Sequence, residues 1–67
     1  MPFLAHYPYD EHNFRFIGTP IDGVQFEEDK IIFVEFKIGQ SQLTSKQRHI
    51  RDLIYNQKIE FKEMRLK

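Results

Sequence analysis

The chain has 67 residues, no cysteine, 40% apolar and 30% charged residues, and a formal net charge of zero. A chain this short holds at most one domain, and a domain of that size hides only about 60% of its unfolded surface, so its stability is marginal without a partner. No disulfide can staple it, His6, His12 and His49 lack the spacing of a structural zinc site, and no apolar run approaches the roughly 18 residues that span a bilayer.

Met1 to Asp10 also lacks the basic start and apolar centre of a signal peptide, so a soluble, cytoplasmic protein is the expectation. Seven Phe and three Tyr are a generous aromatic supply for a small core and leave some for association, which points to a homodimer or a higher homo-oligomer. The zero net charge hides a split. Residues 1–39 carry three basic and seven acidic groups, whereas residues 40–67 carry seven basic and three acidic ones. The first part suits cations and the second suits an anion, unless the charges only solvate a loop and a helix.

In chain order, residues 1–13 contain Pro2 and Pro8 and show no helical period, so they read as an extended N-terminal arm ahead of a domain at 14–67. Phe14 to Ile17 reads as a short strand closed by Gly18-Thr19-Pro20. Ile21 to Phe26 alternates as a second strand, and Glu27 to Lys30 forms a charged turn. Ile31 to Ile38 is the central strand. Its period of two places Ile32, Val34, Phe36 and Ile38 on one face and Glu35 with Lys37 on the other.

A two- or four-residue loop between these strands sets Phe26 opposite Ile31, Val24 opposite Phe33 and Asp22 opposite Glu35. Two carboxylates about 5 Å apart repel unless something compensates, and a divalent cation does so naturally. A three-residue loop would shift the register and remove the pairing.

Thr44 is the expected N-cap of a helix running to about Asn56, with Leu43, Gln47, Ile50, Leu53 and Ile54 facing the sheet. Ile59 to Met64 reads as a last strand. Reached through a helix, it pairs parallel to the central strand in a right-handed βαβ unit. The expected fold class is therefore α/β, with a mixed sheet of about four strands, an antiparallel meander followed by βαβ, and one main helix.

Asp22, Glu35 and Lys37 form the sharpest constellation. Two carboxylates plus a backbone carbonyl such as that of Phe36 suit a hard cation, and a lysine on the same face can position water or offset charge on a phosphate. A lone Glu-x-Lys is otherwise an ordinary solvated strand face. Gln47 fits a capping box with Thr44, which explains a polar residue on the apolar stripe without any site. Gly18, Gly23 and Gly39 lack the spacing of a phosphate-binding loop, and the serines and histidines form no nucleophile and base arrangement.

The ordered set Gly18-Thr19-Pro20-Ile21-Asp22, Val34-Glu35-Phe36-Lys37 and Leu43-Thr44-x-x-Gln47-Arg48-x-Ile50-Arg51 resembles the PD-(D/E)XK nucleases, and more closely the endonucleases related to archaeal Holliday junction resolvases. The resemblance runs from about Tyr7 to Arg65. It implies a minimal restriction-endonuclease-like core and a metal-dependent DNA endonuclease that hydrolyses phosphodiester bonds with Mg²⁺ or Mn²⁺. Branched DNA is the substrate class that it suggests.

By the same resemblance Asp22 and Glu35 are metal ligands together with the Phe36 carbonyl, Lys37 is the catalytic lysine, and Gln47 lines the site. Arg15, Arg48 and Arg51 are candidate phosphate contacts. One departure is that the family's first helix has no room here. Covering about 300 Å² of the sheet left bare is worth about 7 kcal/mol, which again calls for a partner. The alternative function is a catalytically inactive nucleic-acid-binding or assembly module that keeps the nuclease fold.

Overall fold

Three runs rich in β-branched and aromatic residues, separated by turn residues, fold as a meander. In the computed structural model, which describes residues 6–66, β1 (Phe14–Phe16), β2 (Gly23–Phe26) and β3 (Ile31–Val34) form an antiparallel sheet in the order β1-β2-β3, followed by α1 (Ser45–Tyr55). The fold is thus a small α/β arrangement of three strands and one helix. The register is the one expected from the turn, with Phe26 opposite Ile31 and Val24 opposite Phe33. The Glu27 amide donates to the Lys30 carbonyl at 2.9 Å and closes that turn.

Register fixes the two faces. Phe14, Gln25 and Ile32 stand side by side on one face, and Arg15, Val24 and Phe33 on the other. On the first face Phe14 meets Phe16 at 4.8 Å between ring centroids and Phe36 at 5.8 Å, and Tyr7 of the arm packs on Phe36 at 5.9 Å. Within this aromatic cluster lies Gln25, at 0% exposure. Its Nε2 donates to the Asp10 carbonyl and the Glu27 carboxylate, and its Oε1 accepts from the Tyr7 hydroxyl at 2.6 Å. A buried amide survives only with its partners supplied, so this network locks the arm to the sheet. Burial pushes the Tyr7 hydroxyl pKa up, with Tyr9 and Glu27 adding to the effect.

The arm from residue 6 onward is irregular, with one 3-10 turn at Glu11–Asn13 capped by Asp10; residues 1–5 of the expected arm lie outside the described residues. Gly23 stands where β2 crosses Phe14. A side chain there would collide with the Arg15 carbonyl and the Phe14 ring, so only glycine fits directly after Asp22.

Helix α1 begins as expected. Thr44 is the N-cap and forms a full capping box with Gln47. It ends in a Schellman motif, with the Lys58 amide on the Leu53 carbonyl at 2.8 Å and the Gln57 amide on the Ile54 carbonyl at 3.0 Å. Gln57 holds a left-handed φ of 60° there. Glycine adopts that conformation without a Cβ penalty, so Gln57→Gly is expected to stabilise the chain by about 1 kcal/mol, read as a raised urea midpoint at unchanged slope.

The C-terminal expectation is corrected. Residues 58–66 join no sheet among the described residues, so the fourth strand at Ile59–Met64 and the parallel βαβ unit are not formed in the single chain. Ile59 and Phe61 alternate with Glu60 and Lys62 before the pattern breaks at Glu63-Met64, and Phe61 is 91% exposed in the single chain. The outer edge of β3 is left open. The chain exposes 6267 Å², whereas a folded monomer of 8.2 kDa exposes about 4,500 Å².

Candidate active site

The β2–β3 ladder stops at the Gly23–Val34 pair, and what replaces its next rung is the site. The Asp22 amide donates to Glu35 Oε1 at 2.9 Å, and the Phe36 amide donates to Asp22 Oδ2 at 2.9 Å. Each carboxylate therefore takes a backbone N–H from the opposite segment. This is why β3 ends at Val34 instead of running to Ile38: side-chain oxygens have taken the place of main-chain carbonyls. The repulsion expected between Asp22 and Glu35 is offset partly by these two amides, each of which sets a donor dipole against a carboxylate oxygen.

Lys37 supplies the rest of the offset, with its Nζ 3.0 Å from Glu35 Oε2. The pair is half-shielded, at 15% side-chain exposure for Glu35 and 29% for Lys37. Asp22 itself is held by a tight loop. The Ile17 and Gly18 amides both donate to its carbonyl, at 2.7 and 3.1 Å, Gly18 has a φ of 101°, and the Thr19–Pro20 peptide is cis.

Gln47 serves as a cap and as part of the site together. Its Oε1 accepts from the Thr44 amide at 3.0 Å, and its Nε2 donates to the Pro20 carbonyl at 2.9 Å. One amide thus ties the first turn of α1 to the loop that carries Asp22. Its hydrogen bonds run to Thr44 and Pro20 and none to Lys37, so it bears on the Asp22 loop through the Pro20 carbonyl. Gln47→Glu keeps the capping oxygen and loses the donor to Pro20. The expected result is unchanged helicity by circular dichroism with a urea midpoint lowered by the loss of one hydrogen bond, about 1 kcal/mol.

Of the three arginines, Arg51 lines the groove that also holds Glu35 and Gln47. Arg15 lies on β1 and donates to the His12 and Phe14 carbonyls, both at 2.9 Å. Arg48 turns back to the Leu43 carbonyl at 2.7 Å and to Ser45. Sequence reasoning named Pro20 within the Gly-x-Pro-x-Asp motif but gave it no contact; its carbonyl is the anchor for Gln47.

The donor set suits Mg²⁺ or Mn²⁺. Among the described residues no third His, Cys, Asp or Glu joins the pair into a three-ligand cluster. Mg²⁺ is commonly held by one or two carboxylates, with waters and phosphate oxygens filling the remaining positions, whereas Ca²⁺ and structural Zn²⁺ need more protein ligands. Asp22 Oδ1 accepts no hydrogen bond among the described residues, and Glu35 Oε2 is shared only with Lys37.

A family model described as endonuclease related to archaeal Holliday junction resolvase matches residues 1–66. Neither the curated proteins nor the solved structures compared with the chain give a match. No helix among the described residues is long and apolar enough to cross a membrane. With a match over nearly its whole length, the chain belongs to the family of endonucleases related to archaeal Holliday junction resolvases.

Proposed function

We propose that this chain is a Mg²⁺- or Mn²⁺-dependent DNA endonuclease of the PD-(D/E)XK type, with branched DNA in its substrate range. The observation that carries the reading is the exchanged pair of hydrogen bonds between Asp22 and the Glu35-Phe36 segment, with Lys37 at 3.0 Å. It fixes two carboxylates and a lysine ammonium side by side, with Glu35 also lining an open groove. Asp22, Glu35 and the Phe36 carbonyl would hold the ion, which would supply Lewis-acid polarisation of a phosphate oxygen and a lowered pKa for water. Lys37 keeps two of its three N–H donors after bonding Glu35, and these face the charge that grows on the phosphate. Water adds to phosphorus, the P–O bond to one nucleotide breaks, and a phosphate monoester and a free hydroxyl result.

The test is cleavage of linear, flapped and four-way DNA by the full chain with Mg²⁺, Mn²⁺ or EDTA. Cutting that needs the metal supports the reading, and cutting in EDTA contradicts it.

Self-association belongs to the same proposal. The chain exposes about 1,700 Å² more than its mass requires, above the roughly 800 Å² per partner that a standard interface buries, and it has both an open β3 edge and exposed apolar residues at Ile59–Met64. Segment 59–64 of a second copy pairing with β3 would restore the fourth strand. Sedimentation equilibrium is expected to give twice the 8.2 kDa chain mass, and to give the single mass for Phe61→Asp; a monomer in both cases rules this part out.

A further inference from the structure

Catalysis as proposed uses only one end of the groove between α1 and β3. The groove holds about 420 Å³ and is lined by Glu35 and Gln47, by the apolar Ile31 and Ile54, and by Arg51 and Tyr55. That volume lies in the range of sites for small organic groups, about 300–1,000 Å³. Gln47 sits in the first turn of α1 and Tyr55 is its last residue, so the two are about 12 Å apart along the axis at 1.5 Å per residue. Nothing in the proposed chemistry uses the Tyr55 end.

The side chains at that end have a definite character. Tyr55 is 76% exposed, and the Arg51 guanidinium lies 5.9 Å from its ring centroid. Arg51 also bonds Asp52 at 3.0 Å, an exposed ion pair that a phosphate can displace at small cost. An exposed aromatic face next to a cation offers a base something to stack on and its phosphate a counter-charge. Inside a duplex the base faces are already stacked on one another, so away from its two ends only an unpaired nucleotide can use such a platform.

Resting on the nuclease reading, we infer that Tyr55 and Arg51 form a stacking subsite for an unpaired nucleotide, and that the substrate carries a single-stranded segment beside the cut. The i, i+4 spacing of Arg51 and Tyr55 supports the helix as well, but helix support does not distinguish one DNA from another.

The test is fluorescence anisotropy of the full chain in EDTA with a labelled single strand of about 15 nucleotides and with its blunt duplex. Tyr55→Ala is expected to weaken single-strand binding about 5- to 150-fold and duplex binding less than twofold, with Tyr55→Phe binding both as the unaltered chain does. Equal losses on the two DNAs, or no loss on the single strand, overturn the subsite and leave the nuclease reading standing. An unaltered chain that binds no single strand also overturns the subsite, whereas the nuclease reading stands or falls on metal-dependent cleavage.

Discussion

Lys37→Ala will cut DNA about 100- to 1,000-fold more slowly than the unaltered chain while folding and binding metal as before. The size follows from the role proposed for it, an oriented donor toward charge that develops only in the transition state, where a single such group is worth about 3–4 kcal/mol. Lys37 bonds one oxygen of Glu35, whereas the other oxygen is held by the Asp22 amide, so its removal leaves the hydrogen-bonded frame of the site in place. A structural lysine behaves differently: its loss changes the urea midpoint and slows cutting only in proportion to the unfolded fraction. Single-turnover cleavage at saturating protein, run beside a denaturation curve, separates the two. A rate within threefold of the unaltered chain excludes Lys37 from the chemistry.

Gln25→Ala will unfold the sheet at room temperature. The side chain has 0% exposure and holds three partners from three places, the Tyr7 hydroxyl, the Asp10 carbonyl and the Glu27 carboxylate. Truncation leaves a cavity and strands these groups, a combined cost of about 3–5 kcal/mol. The core of so small a chain supplies about as much in total. Gln25→Leu fills the space but still strands the Tyr7 hydroxyl, so Tyr7→Phe is expected to return part of the loss in the double variant. Urea unfolding of the four proteins measures this, and a Gln25→Ala chain within 1 kcal/mol of the unaltered one would show that the arm is not held by this network.

How far the sequence reveals this molecule depends on whether local chemistry or long-range contact decides each feature. The turn at Glu27–Lys30 sets the register locally, so the approach of Asp22 to Glu35 follows from counting. Thr44 and Gln47 mark the helix start through a motif complete within four residues. Gln25 is the opposite case. On an alternating strand it reads as a solvent-facing residue, and only the arm folding back over the sheet makes it the most buried side chain described.

The end of β3 at Val34 was equally hidden, because an apolar run gives no sign that Asp22 and Glu35 will take over the ladder's hydrogen bonds. Arg15 and Arg48 have the residue type of phosphate contacts, but main-chain carbonyls within five residues claim them. Ile59–Met64 has the composition of a strand, and composition does not say whether its partner lies in the same chain.

Mn²⁺ binding tests the central claim most directly, because it reads the carboxylate pair without requiring turnover. Titration calorimetry of the full chain with an uncleavable DNA strand should show Mn²⁺ bound by the unaltered protein and by Lys37→Ala. Asp22→Asn keeps an acceptor for the Phe36 amide and removes the charge, so its Mn²⁺ affinity should fall at least tenfold with the fold retained. Equal Mn²⁺ affinity in Asp22→Asn and the unaltered chain would contradict a metal site at Asp22 and Glu35.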